Sequence, residues 1–389
     1  MPCVVPLRLG VALDGAGWHP AAWRESETAG RDLFTADHWT GLAQEAERGK
    51  LDFLTIEDSL GPAPSAPGRV VGRLDAALIA ARIAPLTSRI GLIPTVTTTH
   101  PEPFHISTAI ATLDYVSSGR GGWRARTGRP GEAPHFGRRD DLGPGPDPNE
   151  RSDERFDEAA DVVEVVRRLW DSWEDGAIIR DADSGRFLDR HRLHYVDFES
   201  RFFSVKGPSI TPRPPQGQPV VAALAHATVP YRFAARSADL VLVTPADEDA
   251  CARIVDEVRA QESAVGRSGP ALRIFADLVV FLDDTEAAAA ARKARLDDLH
   301  GDEYSSDAAV FVGTPDQLGR HLQSWQRAGI EGFRLRPGAL PHDLRAITRG
   351  LVPSLQEYDA FRRGYEARTL RALLGLPRPA NRYEVAPPG

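Results

Sequence analysis

Residues 111–128, ATLDYVSSGRGGWRARTG, run from an apolar stripe through a glycine cluster into a short segment with two arginines. Ile106, Ala109, Ile110, Leu113 and Val116 recur at three- and four-residue spacing, which predicts a helix over 103–117 with one apolar face. SSGRGG then supplies residues that tolerate left-handed dihedrals, so it closes the helix and turns the chain into a strand. The glycines therefore read as a turn rather than as a phosphate loop. In the strand, Arg124 and Arg126 share one face, while Trp123, Ala125 and Thr127 share the other. Buried guanidinium groups require an anion: a protein carboxylate such as Glu57 or Asp58, or a bound ligand.

The same rhythm runs along all 389 residues. LRLGVAL, LDFLTIED, RIGLIPTVTT and GGWRART come first, and PVVAAL, DLVLVT, RIFADLVVFL and GFRLRP follow a long helix. Apolar strands alternating with helices predict a parallel sheet covered by helices, and eight such units predict a closed (β/α)8 barrel in one domain over 1–389. Phe156, Ala159, Val163, Val166, Trp170 and Trp173 predict a helix over 152–173, with Ser152 as N-cap and Asp153 and Glu154 in its first turn. Two regions break the pattern. Residues 127–153 are rich in Gly, Pro and Asp and are expected to form a long loop after strand four, on the active-site face, ordering over bound ligand. Residues 174–218 read as an insertion before strand five, with short strands and a proline-rich return.

A net charge of −8, with 42% hydrophobic and 26% charged residues, is ordinary for a soluble globular protein and argues against a general nucleic-acid binder. Cys3 and Cys251 have no zinc or disulfide spacing, as expected in a reducing compartment. The start lacks a cationic segment followed by an apolar core, and no run approaches a membrane span, so a cytoplasmic location without membrane attachment is expected. GxGxxG after a strand, GxxxxGK[ST], GxSxG and HExxH are all missing. His191 and His194 in HRLH lack a carboxylate pattern to complete a metal site, and no metal is expected.

Glu57 and Asp58 end strand two and face opposite sides, so only one points into the barrel mouth. A carboxylate there reads as functional, with capping of the next loop as the alternative. In AHATVPYRFAAR, Pro230 is expected to be the first residue of a helix whose free N–H groups face the same rim. His226 and Thr228, just before it, offer side-chain donors to a phosphate.

Several segments together resemble one family: GWHPAAWR, LAQEAERGKLDFLTIEDS, IGLIPTVTTTHPEPFHISTAIATLDYVSSGRGGW, RLWDSWED, GPSITPRPPQGQPVV and LVPSLQEYDAFRRGYEARTLRALLGLPRP. They are similar to the bacterial-luciferase-like flavin-dependent monooxygenases, in the nitrilotriacetate and dibenzothiophene-sulfone branch. The resemblance implies a TIM barrel and reduced FMN supplied by a separate NAD(P)H:flavin reductase. It also implies dioxygen and a small organic substrate as reactants; a homo-oligomer is expected. Asp58 matches the family's acid beside the flavin, and Thr95 and Thr97 match threonines near the ring. The family's WN.VTS is WRARTG here, so Arg124 replaces the asparagine, Gly128 replaces the serine and Thr127 is retained. Phe156 stands for a tyrosine at the start of helix four. ALAHATVP, residues 223–230, stands for the phosphate loop QAG.S..G, which puts His226, Ala227 and Thr228 at the phosphate positions. These departures keep two alternatives open: a deazaflavin-dependent hydride-transfer oxidoreductase and a non-catalytic luciferase-like subunit.

Overall fold

The computed structural model describes residues 6–25, 32–61, 68, 70–129, 132–135 and 148–384. Cys3 and residues 130–131 and 136–147 of the loop expected after strand four lie outside the described residues. Among the described residues, the first half contributes β1 (Leu9–Leu13), β2 (Phe53–Ile56), β3 (Gly91–Thr97) and β4 (Gly122–Arg126). Two short antiparallel hairpins follow, β5 (Ile178–Asp181) with β6 (Arg186–Leu188) and β7 (Phe198–Glu199) with β8 (Ser204–Val205). The second half adds β9 (Val220–Ala225), β10 (Leu240–Val243), β11 (Arg273–Leu282), β12 (Ala309–Gly313) and β13 (Gly332–Pro337). Parallel pairing runs β10, β9, β4, β3, β2, β1, β13, β11, and a further β10–β11 pairing closes the eight strands into a (β/α)8 barrel.

These eight are the strands expected from the sequence. β12 is not among those expected. Its partner β11 is long: its lower half pairs with β10 through Leu240↔Arg273 to Val243↔Ala276, and its upper half pairs with β12 through Leu278↔Ala309 to Leu282↔Gly313. β12 thus wedges in above β10. It is short and half-buried, which is why its period is weak in the sequence.

The helices α1 (Ala36–Arg48), α2 (Ala76–Ile83), α3 (Pro103–Val116), α4 (Pro148–Asp171), α5 (Thr228–Ser237), α6 (Glu248–Ala264), α7 (Glu286–His300) and α8 (Pro315–Arg327) cover the barrel. α3 ends as expected, with Ser117 as C-cap and Gly119 at φ +86°, a left-handed turn where a side chain would be strained. Gly121 fits because a Cβ there would come within 2.9 Å of the Asp114 backbone nitrogen. The buried stripe of α3 is rotated from the expected one: Ala109 and Val116 are exposed, and Ser107, Ala111 and Asp114 are buried instead. Two helix starts also differ from expectation. α4 begins at Pro148, so Ser152 lies inside it and is not its N-cap. α5 begins at Thr228 with Ala227 as N-cap, which makes Pro230 its third residue, still among the positions whose N–H has no partner within the helix.

Strand alternation grades the barrel interior. The base is apolar: Phe53, Ile93, Val220, Leu240 and Phe275 pack there with Leu370 and Leu374 from the C-terminal region. Glycines make room for the rings, since a Cβ on Gly10 would meet Phe53 at 2.4 Å and one on Gly332 would meet Phe275 at 2.4 Å. Two and four residues further along the strands, the same face carries Thr55, Thr95, Arg124, Asp277 and Arg334, then Glu57, Arg126 and Arg336. Apolar burial holds the base, and polar groups are collected at the C-terminal mouth. The 174–218 hairpins enter before a barrel strand and therefore belong to the opposite, N-terminal end.

Candidate active site

The mouth is built from strand ends. Glu57, in register with the inward residues of β2, points into it, while Asp58 turns away: its carboxylate accepts from Ser59 N at 2.7 Å and Ala76 N at 2.9 Å, at the start of α2. Burial pushes the Asp58 pKa up against those two backbone bonds. Arg124 answers the anion requirement with protein groups: its guanidinium pairs with Glu57, and its Nε donates to Thr95 Oγ1 at 2.9 Å. Burial lowers the Arg124 pKa to about 10 despite Glu57. Burial would raise Glu57, but the charges of Arg124, Arg334 and Arg336 outweigh it and hold its pKa below the usual carboxylate value. Thr97 is buried two residues above Thr95. Arg126 donates to Asp58 O at 2.9 Å and reaches Glu132 at 3.5 Å.

The opposite wall holds a denser cluster. Arg334 Nε donates to Asp277 Oδ1 at 2.8 Å, and Arg334 also reaches Glu57 and Thr55, each at 3.1 Å. Arg336 shares Asp277 at 3.0 Å and pairs with Asp307, just before β12, at 2.6 Å. Burial works against ionised Asp277, yet the two arginines hold its pKa below the ordinary value. Sequence reasoning missed these four residues and Asp14. A lone aspartate within the apolar run RIFADLVVFL and the x-R-x-R alternation of GFRLRP were the available signals. Asp14 closes β1 as Glu57 closes β2.

Between the two walls lies a cavity of ≈620 Å³ lined by Asp14, Glu57, Arg124, Arg126, Phe156 and His226, among others. Thr127, Gly128, Arg129, Leu224 and Phe233 also line it. Phe156 packs on Phe233 with ring centres 5.5 Å apart. The cavity therefore brings together Arg124, Thr127, Phe156 and His226 from the sequence-derived set, with Thr95 one hydrogen bond behind. Thr228 sits at the first position of α5, but its hydroxyl donates to Glu257 Oε1 at 2.7 Å on the exposed side. Ala227 is the extended residue capping that helix, with no side-chain bond to it. Among the described residues no group of three or more His, Cys, Asp and Glu is placed to hold a metal, and His194 instead meets Glu174 at 2.6 Å. No helix among the described residues is long and apolar enough to cross a membrane.

A closed parallel barrel with a charged, cofactor-sized cavity at the C-terminal ends of its strands defines a barrel enzyme-type site. The chain belongs to the luciferase-like monooxygenase family, whose profile matches residues 16–300. It is 30% identical to the N-acetyl-S-(2-succino)cysteine monooxygenase of Bacillus subtilis, covering 97% of this chain and 98% of that protein. Nitrilotriacetate monooxygenase component A of Aminobacter aminovorans is 28% identical, with 96% and 97% covered. A crystal structure of riboflavin lyase with modified FMN and the substrate riboflavin superposes with a TM-score of 0.85 at 25% identity, covering 97% of this chain and 98% of that one.

Proposed function

We propose that this chain is the oxygenating component of a two-component monooxygenase that takes reduced FMN from a separate NAD(P)H:flavin reductase and uses dioxygen on a small organic substrate. The observation that carries this reading is the ≈620 Å³ cavity, which runs from the Arg124 wall to His226, two residues before α5. Its volume falls in the range of cofactor pockets. Its donor chemistry fits a flavin at both ends: guanidinium and hydroxyl groups for the polar ring edge, and a cationic rim beside a helix N-terminus for the phosphate. Bound reduced flavin supplies the activation of dioxygen.

The chain's residues bind, orient and shield. Arg124, fixed by Thr95 and Glu57, presents its charge to the ring edge and favours the anionic reduced form over the oxidised one. Phe156 and Phe233 provide an apolar wall that excludes water. Asp58 holds the start of α2, and with it the rim beside the ring. For the phosphate, Arg129 is the available counter-charge: among the described residues its guanidinium makes no ion pair, and it lines the cavity with His226. The backbone N–H groups of Thr228 and Val229 complete that end, while the Thr228 hydroxyl stays with Glu257.

Anaerobic titration of the purified protein with reduced FMN, oxidised FMN and reduced deazaflavin coenzyme tests the proposal. Tightest binding of reduced FMN is expected. Preference for the deazaflavin would replace it with a hydride-transfer oxidoreductase, and binding of none would leave a non-catalytic subunit.

A further inference from the structure

A second chamber of ≈210 Å³ opens beside the charged one and shares Asp14, Trp18 and Glu57 with it. Its other walls include Trp23, Phe34 and Trp39. The indole N–H of Trp23 is spent on Gly68 O at 2.7 Å and that of Trp39 on Leu33 O at 3.0 Å. What these residues have left to offer is ring surface. His19, also in the wall, is fully committed: Nε2 lies 3.0 Å from Asp297 and Nδ1 accepts from Ala21 N at 3.1 Å. Glu57 is held by Arg124 and Arg334.

Asp14 is different. Among the described residues its carboxylate has no hydrogen-bond partner, and it is exposed at the junction of the two chambers. The groups that act on it are Glu57 and Asp58 from the end of β2, Arg124 from β4 and Arg73, which stands before α2 in the wall of the same chamber. None of them binds it directly. An aromatic enclosure with one free carboxylate is the arrangement that attracts a cationic nitrogen, through ring faces and charge together. One face of Trp18 already carries such a contact, with the Arg336 guanidinium 5.6 Å from its ring centre. An apolar cavity of about 150 Å³ takes a benzene ring, so this chamber has room for one ring and a short substituent.

We propose that this chamber is the substrate site and that it takes a compact organic amine, its ammonium on Asp14 and its apolar body among the tryptophans. The inference rests on the flavin reading above for the word substrate, and places the amine next to the cavity assigned to the ring. Benzylamine, benzyl alcohol and benzoate are near-isosteric probes for calorimetric titration of the full chain, with and without FMN. Benzylamine is expected to bind, benzyl alcohol to bind more weakly and benzoate not to bind. Wild type is expected to lose affinity for benzylamine as pH falls below about 6; Asp14→Asn is expected to abolish that dependence and to weaken benzylamine about tenfold, the scale of one charge-assisted hydrogen bond. Leu74→Trp, which fills the chamber from its rim, is expected to block benzylamine and leave FMN affinity within about twofold. Benzoate binding as tightly as benzylamine, an unaffected Asp14→Asn variant, or equal loss of FMN and benzylamine in a folded Leu74→Trp variant would each overturn the assignment. Benzylamine behaving as expected in a protein that binds no FMN would uphold the amine site and remove the flavin reading alone.

Discussion

β4 and β13 carry the same pattern on different walls of the barrel: Trp123-Arg124-Ala125-Arg126 and Phe333-Arg334-Leu335-Arg336, each with its aromatic facing out and its arginines facing in. What separates them is the neighbouring strand. Arg334 stands in register with Asp277 of β11, an aspartate with no exposed surface, and both β13 arginines close on it. Arg124 stands in register with Thr95 on one side and Ala222 on the other, both neutral, and must reach across to Glu57. The same sequence pattern therefore makes an ion cluster closed on a buried aspartate on one wall, and on the other arginines whose strand neighbours are neutral. A strand's charges acquire their role from the registers beside them.

The sharpest way to break that comparison is to remove the shared anion. Asp277→Asn keeps the shape but leaves Arg334 and Arg336 facing a neutral group in the barrel interior. Breaking a buried pair of this kind costs about 3–5 kcal/mol, so the midpoint of urea unfolding is expected to fall steeply, or the variant to be insoluble. A loss below 1 kcal/mol would mean that Asp307 and Glu57 suffice to hold the β13 arginines.

On the other wall, Arg124→Gln should cost less, about 1.5 kcal/mol, the low end for a hydrogen bond to a charged group, because Glu57 keeps its 3.1 Å bond to Arg334. Its main effect is expected in ligand binding, with reduced FMN weakened more than oxidised FMN. Equal weakening of the two forms, or a stability loss matching that of Asp277→Asn, would make β4 a second structural ion cluster. At the far end of the cavity, Arg129→Ala is expected to weaken FMN about tenfold and leave riboflavin unchanged, whereas Thr228→Val should alter neither by more than about twofold. The reverse ranking would return the phosphate contact to the Thr228 hydroxyl.

The barrel was legible because its signals are local. Eight apolar runs separated by helical patterns, and a helix that ends in a left-handed turn before WRAR, need no knowledge of distant residues. β12 escaped because its four half-buried residues and buried Gly313 lean on the upper half of one long strand, a pairing that exists only once the barrel has closed. The site was legible in proportion to the same distinction. Alternation within β2 showed that one of Glu57 and Asp58 enters the mouth, yet choosing Glu57 required the register to Arg124 and Arg334. Thr228 reads in the sequence as a donor toward the cavity because it lies just before Pro230 at the expected helix start; Glu257, which takes its hydroxyl, is 29 residues away on α6. Arg334, Arg336 and Asp277 are two strands' worth of one cluster, and neither strand alone announces it.

The smallest effect concerns Asp14, the mouth acid that neither arginine pair has claimed. The surrounding walls of the mouth, which displace bulk water around it, and the nearby Glu57 charge push its pKa up to about 6, against about 3.9 in an unfolded chain. A carboxylate raised in this way binds its proton more tightly when folded. Below pH 4 it is protonated in both states and contributes no difference; between pH 4 and 6 the folded state is progressively penalised, and above 6 the penalty is complete. Asp14→Asn removes that penalty, so the variant is expected to match wild type at pH 3.5 and to melt at a higher temperature at pH 8. The gain should stay below about 1 kcal/mol, because the carboxylate faces an open cavity where solvent screens it. A variant less stable than wild type at pH 8 would show that Arg73 or Arg124 already holds Asp14 as firmly as Asp277 holds β13. The mouth would then carry no free acid, and the contrast between the two walls would vanish.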